Sequence, residues 1–361
     1  MGIDDRIQQL EEKLEKTPVN KATEKERGRL KSQIAQLKEE KQQKQKSTGD
    51  TSGYAVEKKG DATVALVGFP SVGKSTLLNN LTNAEVDTGA YEFTTLDVHP
   101  GMLKYKGANI QIMDVPGLIG GAADGRGDGT QVLSVVRNAD LVLYVLDPEE
   151  MRVDTIKQEI YNAGIRTNTT PPDVKIEKKD RGAINISSTV DLSVQDETIK
   201  QVMRDNGYIN AEVIIREDVD IDGFIDVMNS NRVYMPAVTV VNKADMLSEQ
   251  EKQELDADID LFISAEEEIN LNELREMIFD KLGLIRIYMK EKGEEADKDE
   301  PLILREGDTV EEALDTLPGD MRDRFKKAKV TGTSSKFPNQ KVGMEHQLED
   351  EDILELNLRH I

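Results

Sequence analysis

The sequence lacks cysteine entirely and contains only 3 histidines among 361 residues. Without cysteine, neither disulfide bonds nor thiolate metal sites can form, and the isolated His99, His346 and His360 indicate no metal site. No apolar run approaches the length that spans a bilayer. The first residues, MGIDDRIQQLEEKLEK, are charged and lack the apolar segment of a signal peptide. These absences predict a soluble cytoplasmic protein with no membrane partner.

Basic residues are outnumbered by acidic ones, 47 Lys and Arg against 70 Asp and Glu, which gives a formal net charge of -23 at pH 7. Such a charge repels phosphate and argues against broad nucleic-acid binding, so we expect no DNA partner. Two interpretations of the acidity stay open: ordinary surface acidity and adaptation to a salty cytoplasm. Residues 21–46 are the exception, because they contain more Lys and Arg than Asp and Glu. This segment is either a basic arm that contacts RNA or the solvated face of a helix.

The N-terminal segment has the apolar spacing of two amphipathic helices. The residues that form the two stripes are Ile3, Ile7, Leu10 and Leu14 before Pro18, and Leu30, Ile34 and Leu37 after it. Thr23 and Glu26 have the spacing of a capping box at the start of the second helix. We therefore predict a helical hairpin over residues 1–46, which docks on the rest of the chain or on a partner. A flexible link is predicted at residues 47–53.

From residue 60 onward, short and nearly continuous apolar runs alternate with helical patterns. The runs typical of strands are DATVALVG, NIQIMD, DLVLYVLD and PAVTVVN, and those typical of helices include KSTLLNNLTN and QVLSVVRNA. Because strands that are apolar on both faces suit a covered, mostly parallel sheet, the sequence predicts an α/β fold. A segment from about 166 to 230 interrupts this alternation and predicts an inserted subdomain. A small separate domain is expected from about residue 286, with a capped short helix within residues 307–317.

The segment GFPSVGKS matches the pattern G-x-x-x-x-G-K-[ST] between a predicted strand and a predicted helix. Its glycines allow backbone N–H groups to surround phosphate oxygens, and the following helix turns its positive end toward them. Lys74 is expected to reach the β- and γ-phosphates of a nucleotide, and Ser75 to bind Mg²⁺. The predicted phosphate-binding residues are Gly68, Pro70, Ser71, Val72, Gly73, Lys74, Ser75 and Thr76.

The segment DVPGLIGG begins at Asp114 and follows the strand pattern NIQIMD. Asp114 is predicted to hold Mg²⁺ through water, while the amide of Gly117 meets a γ-phosphate. Leu118 stands where several nucleotide hydrolases have a glutamine that orients the attacking water. Between the P-loop and this segment, Thr94 and Thr95 compete for the role of the threonine that closes on Mg²⁺ when a triphosphate is bound.

The tetrapeptide NKAD, which begins at Asn242, follows another predicted strand. The carboxylate of Asp245 can accept hydrogen bonds from N1–H and the 2-amino group of guanine, and adenine offers neither donor. Asn242, Lys243 and Asp245 therefore predict binding of GTP and GDP and argue against an ATPase. The expected donors to the guanine carbonyl are the backbone N–H groups of Ser264, Ala265 and Glu266.

Taken together, these motifs resemble the Obg-type GTPases, and most closely the developmentally regulated GTP-binding protein (DRG) family. The resemblance extends over nearly the whole chain and is carried by GFPSVGKST, YEFTTLDVHPG, DVPGLIGGAADGRGDG, PPDVKIEKKDRGAIN, NRVYMPAVTVVNKAD, GLIRIYMK and KFPNQKVGMEHQLEDED. It implies an α/β fold in which a P-loop GTPase domain has a mostly parallel sheet. It also implies an N-terminal helical hairpin, an inserted S5-like α/β subdomain and a C-terminal β-grasp module, the TGS domain.

The same resemblance sets the expected domain boundaries and partners. The boundaries are 1–58 for the N-terminal helical region, 59–166 and 230–285 for the two parts of the G domain, 167–229 for the insert and 286–361 for the TGS domain. The family motif implies that Thr95 rather than Thr94 binds Mg²⁺ together with Ser75 and Asp114. The family is associated with ribosomes and translation, and it works with a small partner protein that stabilises it.

Two functions from different classes follow from these features. In the first, the chain is a GTPase switch in which Lys74, Thr95, Gly117 and Mg²⁺ act on GTP and the surrounding loops relax after hydrolysis. Since Leu118 cannot hydrogen-bond to water, we expect slow turnover until K⁺, a ribosomal element or a partner protein supplies the missing help. In the second, the chain is an RNA- or ribosome-binding scaffold whose nucleotide state matters little, as the basic segment 21–46 and the C-terminal domain suggest.

Overall fold

The computed structural model describes residues 2–48, 58–82, 98–116, 129–229, 232–255, 258–319 and 321–359. The helices are α1 (Ile3–Lys16), α2 (Glu24–Thr48), α3 (Lys74–Leu81), α4 (Gly129–Arg137), α5 (Val153–Asn162), α6 (Asp196–Asp205), α7 (Ile221–Met228), α8 (Glu249–Glu254), α9 (Leu271–Lys281), α10 (Val310–Thr316) and α11 (Met321–Arg324). The strands are β1 (Ala62–Val67), β2 (His99–Tyr105), β3 (Ala108–Asp114), β4 (Leu141–Leu146), β5 (Ile165–Thr167), β6 (Val174–Lys178), β7 (Ile184–Ser188), β8 (Ala211–Ile215), β9 (Val233–Met235), β10 (Ala237–Val241), β11 (Leu261–Phe262), β12 (Leu284–Met289), β13 (Leu302–Arg305), β14 (Phe325–Thr331), β15 (Gln340–Val342) and β16 (Ile353–Leu358).

The chain divides into two compact units, each built from two segments. One unit contains Met1–Gly53 and Tyr161–Tyr234, and the other contains Tyr54–Ile160 and Met235–Ile361. The N-terminal helices thus belong to the same unit as the segment that interrupts the α/β alternation. Within the described ranges, no helix is long and apolar enough to cross a bilayer.

The main sheet lies in the second unit and has the strand order β11-β10-β4-β1-β3-β2. Neighbouring strands are parallel except β2, which pairs antiparallel with β3 at the edge of the sheet. Every residue of β1, β4 and β10 is buried, as expected for nearly continuous apolar runs. The predicted α/β fold with a mostly parallel sheet is therefore confirmed. The apolar runs did not predict the edge strand β2.

The C-terminal part of the same unit forms a second, mixed sheet with the order β13-β12-β16-β14-β15. Helix α10 covers one face of this sheet, and its Ala313 and Leu314 share a core with Ile287 of β12 and Val330 of β14. The helix begins at Thr309, whose side chain forms a capping box with Glu312. The capped short helix predicted within residues 307–317 is thus confirmed.

The first unit joins the N-terminal helices to a small three-stranded sheet with the order β6-β8-β7. Helices α1 and α2 pack against each other, and α2 also packs against α6 and α7. The absence of a side chain at Gly28 permits this close approach, because a Cβ there would lie 3.0 Å from Cγ2 of Thr198 and 3.3 Å from Cγ2 of Val202. The predicted helical hairpin forms and docks on the inserted segment.

The turn before α2 differs from the sequence prediction. The Thr23 hydroxyl donates to the carbonyl of Pro18 instead of capping α2, and Glu26 pairs with Lys13 at 2.8 Å. The Thr23 N–H donates at 3.0 Å to Oδ1 of Asn20, which closes the turn. The predicted capping box at Thr23 is therefore wrong, because a competing asparagine turn uses its groups. Helix α2 also runs to Thr48, into the predicted link, and residues 49–53 of that link lie outside the described residues.

Candidate functional site

Segments that follow four strands of the main sheet meet at one polar edge. The P-loop follows β1, Asp114 ends β3, Asp147 follows β4 and Asn242 follows β10. The carboxyl ends of parallel strands lie on the same edge of a sheet, where open α/β folds bind their ligands. The sheet order thus brings together motifs that lie far apart in the sequence.

The backbone of the P-loop has left-handed residues, and two of its glycines lie too close to neighbouring atoms to carry a side chain. Ser71 and Gly73 have φ angles of 67° and 90°, in the left-handed region. A Cβ at Gly73 would lie 2.4 Å from Nδ2 of Asn242, and a Cβ at Gly68 would lie 2.3 Å from the carbonyl oxygen of Val145. Helix α3 begins directly after this loop. The first N–H groups of a helix have no intrahelical partner and can bind an anion, so loop and helix together fit a phosphate.

Lys74 lies buried beneath the P-loop, with 8% of its surface exposed. Its Nζ donates to the carbonyl oxygens of Gly68 at 3.2 Å and Phe69 at 3.0 Å. Burial lowers the pKa of Lys74, and the nearby carboxylate of Asp114 opposes part of that effect. A cation that is short of charged partners gains strongly from a phosphate oxygen, so the ammonium suits the predicted phosphate contact.

Ser75 and Asp114 supply two oxygen ligands of the kind that Mg²⁺ prefers. The Ser75 hydroxyl donates to Oδ2 of Asp114 at 2.5 Å, which brings the two predicted metal ligands together. The adjoining cavity of about 490 Å³ is lined by Ser71, Gly73, Lys74, Ser75, Thr76, His99, Asp114, Val115 and Pro116. His99, to which the sequence assigns no role, therefore lies on the wall of the phosphate site.

The NKAD segment is tied to the P-loop by side-chain hydrogen bonds. Nδ2 of Asn242 donates to the carbonyl of Val72 at 2.9 Å, and Oδ1 of Asn242 accepts from the N–H of Ala265 at 2.9 Å. Nζ of Lys243 donates to the carbonyl of Ser71 at 3.2 Å. Asp245 is exposed in the short 3-10 helix that follows, where its carboxylate can reach a base. The structure thus holds the predicted base-binding segment against the predicted phosphate-binding loop.

Two of the expected backbone donors to guanine have other partners in the structure. The N–H of Ala265 donates to Asn242, and the N–H of Ser264 donates to the carbonyl of Ile269 at 3.2 Å. Among the described hydrogen bonds, the N–H of Glu266 has no acceptor. The bond from Ala265 fixes the side chain of Asn242, and the contacts of Ser264, Ala265 and Glu266 with guanine stay predictions.

Several predicted site residues lie outside the described residues. Thr95 and Gly117, expected to contact Mg²⁺ and the γ-phosphate, fall in the ranges 83–97 and 117–128. Thr94 and Leu118 fall in the same two ranges. Their roles stay predictions.

Asp147 is a site residue that the sequence analysis missed. It directly follows β4, as Asp114 ends β3, and its Oδ2 accepts from Nζ of Lys243 at 2.9 Å. The strand pattern DLVLYVLD contains this residue, so a search for polar residues at every strand end would have found it. Arg152, five residues later, lies with its guanidinium carbon 4.8 Å from the ring centre of Phe69 in the P-loop.

Family models match three successive parts of the chain. Residues 63–178 match the MMR_HSR1 model, which is described as a 50S ribosome-binding GTPase. Residues 181–284 match the model described as the C-terminal region of the MMR_HSR1 domain. Residues 285–357 match the TGS domain.

Similar proteins match this chain almost from end to end. An uncharacterized GTP-binding protein of Methanocaldococcus jannaschii is 49% identical over 368 residues, which cover 99% of this chain and 94% of that protein. Developmentally-regulated GTP-binding protein 2 of Bos taurus is 41% identical over 361 residues, which cover 99% of both chains. The chain belongs to the DRG family. As a member of the DRG family it is a GTP-binding protein, with a P-loop GTPase domain and a C-terminal TGS domain.

Solved structures of GTPases give weaker matches. The GDP·AlF4⁻ complex of Era from Aquifex aeolicus is 20% identical, covers 75% of this chain and 72% of that chain, and has a TM-score of 0.33. The FeoB G-domain from Methanococcus jannaschii is 15% identical, covers 61% of this chain and 97% of that chain, and also has a TM-score of 0.33. The assignment to the DRG family therefore rests on the full-length relatives.

Proposed function

We propose that this DRG-family protein hydrolyses GTP and acts as a switch on the ribosome or another RNA. The observation that carries the enzymatic part is the single polar edge at which Lys74, Ser75 and Asp114 meet Asn242 and Lys243. The first three provide an ammonium and two oxygen ligands for a triphosphate and its metal, and the last two belong to a guanine-specific motif.

The metal in this proposal is Mg²⁺, which the donor atoms fit. Ser75 offers a hydroxyl and Asp114 a carboxylate, both hard oxygen ligands beside the P-loop. Thr95 is the third proposed ligand. When bound, Mg²⁺ supplies positive charge that stabilises the negative charge developing on the phosphates.

The proposed hydrolysis is slow without assistance. The side chain of Leu118, which follows Gly117, has no polar group that can orient an attacking water. We propose that K⁺, a ribosomal element or a partner protein provides the missing stabilisation. A small partner protein that stabilises the chain, implied by the family resemblance, belongs to the same proposal.

The TGS domain provides a charged surface that suits an RNA partner. Residues 322–341 contain seven lysines and arginines but only one aspartate, in a chain of net charge -23. We call the hairpin of β14, β15 and their connecting loop the basic hairpin. Its loop presents Phe337 with 60% of its surface exposed. An exposed aromatic ring among lysines is a typical arrangement for stacking on a base while contacting phosphates.

The register of the basic hairpin places lysines opposite one another. Lys329 of β14 pairs with Lys341 of β15 in the antiparallel register. Like charges directly opposite destabilise a sheet. Glu355 on the other neighbouring strand bonds to Lys329 at 2.6 Å, and within the described residues no carboxylate pairs with Lys341 or Lys327. An anionic partner would relieve this repulsion, which supports contact with phosphate groups.

Ribosome pelleting across nucleotide states tests the proposal. We expect the chain to sediment with ribosomes more strongly with a non-hydrolysable GTP analogue than with GDP or no nucleotide. The double variant Lys327→Glu/Lys341→Glu should reduce pelleting about tenfold or more at low salt, because two phosphate contacts become repulsive. The double variant Lys104→Glu/Lys281→Glu, at two exposed lysines outside the basic hairpin, changes the net charge by the same amount and serves as the matched control. Equal pelleting of the hairpin double variant and wild type would contradict an RNA contact through the basic hairpin.

The second candidate function is a ribosome- or RNA-binding scaffold whose nucleotide state matters little. The basic hairpin favours it, because its charge does not depend on a bound nucleotide. Pelleting that is strong, sensitive to the lysine substitutions and equal in all nucleotide states would support the scaffold over the switch.

A further inference from the structure

We infer that Asp147 is a positioning residue for guanine nucleotides, which it serves by holding Lys243 on the P-loop. The inference rests on the proposed function and assigns a role to a residue outside the P-loop, NKAD and Asp114 motifs. It also implies that the segment Asp147–Arg152 supports the nucleotide site from the side of β4.

Both carboxylate oxygens of Asp147 have defined partners. Oδ1 accepts from the backbone N–H groups of Glu149 at 3.0 Å and Glu150 at 2.9 Å, which fixes the turn after β4. Oδ2 accepts from Nζ of Lys243 at 2.9 Å. Asp147 is 5% exposed, so its charge lies largely away from solvent. A buried carboxylate needs a cationic or hydrogen-bonding partner, and the lysine supplies the charge.

The side chain of Lys243 bridges Asp147 and the P-loop. Its φ angle of 58° lies in the left-handed region, which a lysine rarely adopts. Its ammonium also bonds to the carbonyl of Ser71, whose φ angle of 67° lies in the same region. The ammonium of Lys243 thus links its own strained residue to Ser71, which is also in a rare conformation. Asp147 is the anion that holds the ammonium in this position.

Arg152 gives the same segment a second contact with the P-loop. Its guanidinium lies over the ring of Phe69, and the Phe69 carbonyl accepts from Lys74. Arg152 also pairs with Glu150, one of the two residues whose N–H groups Asp147 holds. The segment after β4 therefore contacts the base side of the site through Lys243 and the phosphate side through Phe69.

The negative charge of Asp147, rather than its shape, is essential for holding Lys243. Asparagine has nearly the same size and keeps an oxygen that can accept from the two N–H groups of the turn. It cannot neutralise the ammonium of Lys243. In Asp147→Asn the turn should persist, while Lys243 loses its anion and leaves the Ser71 carbonyl more often.

The test measures binding of a fluorescent GDP and GTP analogue to the full chain. Asp147→Asn should weaken both nucleotides equally, by about tenfold, as expected for loss of a charged hydrogen bond. The matched control is Asp140→Asn, at the opposite end of β4. Asp140 is partly buried and pairs with Lys58 at 3.1 Å and Arg305 at 3.2 Å, so its loss removes ion pairs outside the site. It should leave nucleotide affinity within twofold of wild type.

A double-mutant cycle separates positioning from general destabilisation. If Asp147 acts through Lys243, adding Asp147→Asn to Lys243→Gln should weaken binding less than twofold further. At saturating GTP, the single-turnover hydrolysis rate of Asp147→Asn should fall by a smaller factor than its affinity for GTP, because Asp147 acts mainly on ground-state binding. The inference would be overturned if the fold losses of nucleotide affinity in the two single variants multiplied in the double variant. It would also be overturned if Asp147→Asn bound nucleotides as tightly as wild type. Failure of the wild-type chain to bind guanine nucleotides would instead overturn the proposed function.

Discussion

The two sides of the nucleotide site differ in how their polar groups are used. On the base side, Asn242 and Lys243 bond to the P-loop, to Ala265 and to Asp147, so separate segments are locked together. On the phosphate side, Lys74 bonds to carbonyls of its own loop. The hydroxyl of Ser75 there bonds to Asp114.

This difference separates specificity from switching. The base-side bonds leave Asp245 exposed for the base and can persist when a nucleotide binds, so recognition of guanine is built in advance. The phosphate-side bonds use the groups that we propose as ligands of a triphosphate and Mg²⁺, so in the proposed mechanism these bonds are exchanged when the ligands bind. A ligand shifts a conformational equilibrium only through contacts that differ between states. We therefore expect nucleotide-dependent change to originate at Lys74, Ser75 and Asp114.

The largest expected effect comes from changing the exposed group on the base side. Asp245→Asn replaces an acceptor of two hydrogen bonds by an amide that opposes one guanine donor, so GTP affinity should fall about 100-fold. Xanthosine triphosphate should gain affinity, because its carbonyl can accept from the new amide. Equilibrium binding of both nucleotides checks this, with Glu249→Gln of α8 as an exposed-carboxylate control. Unchanged GTP affinity would mean that Asp245 does not bind the base.

The next effect concerns the preformed bonds of the base side. Asn242→Ala leaves the Val72 carbonyl and the Ala265 N–H without their partner, so the nucleotide-free chain should lose about 2 kcal/mol of unfolding free energy. Denaturant unfolding without nucleotide measures this loss. Ser75→Ala, which removes one bond on the phosphate side, should cost less in the same experiment. A larger loss for Ser75→Ala would reverse the contrast between the two sides.

A smaller effect on GTP affinity should show which contacts of the phosphate side depend on the metal. In the presence of Mg²⁺, Ser75→Ala should weaken GTP binding about tenfold, because one metal ligand is lost. Removing Mg²⁺ with EDTA should weaken wild-type binding and reduce the difference between wild type and variant to less than twofold. A tenfold difference that survives EDTA would show that Ser75 acts on the nucleotide without the metal.

Local patterns in the sequence predicted most of the fold, and they identified the segments that the structure brings together at the polar edge. Continuous apolar runs identified β1, β3, β4 and β10, and the segments after these strands contain the polar residues of the site. The edge strand β2 is less uniformly apolar, and its residues His99 and Lys104, near the two ends, are exposed. Contacts between distant segments were not predictable from spacing. Asp147 and Lys243 lie 96 positions apart, and only the sheet order brings them together.

Local competition explains the remaining differences. At the start of α2, Thr23 and Glu26 have the correct spacing for a capping box, but Asn20 accepts the Thr23 N–H and closes a different turn. In the base-side loop, the Ala265 N–H donates to Asn242, a bond that spacing alone did not predict, and its contact with guanine stays a prediction. In both places the sequence shows which groups can form hydrogen bonds, and three-dimensional packing determines their partners.

Single-turnover release of the γ-phosphate most directly tests whether this site hydrolyses GTP and needs help to do so. The purified chain, saturated with GTP and Mg²⁺, is measured in Na⁺, in K⁺ and with ribosomes. In Na⁺ alone we expect release on the order of 10⁻³ s⁻¹ or slower, and a clear acceleration by K⁺ or by ribosomes. Fast release at equal rates in all three conditions would contradict the account, because Leu118 would then stand in a site that needs no assistance.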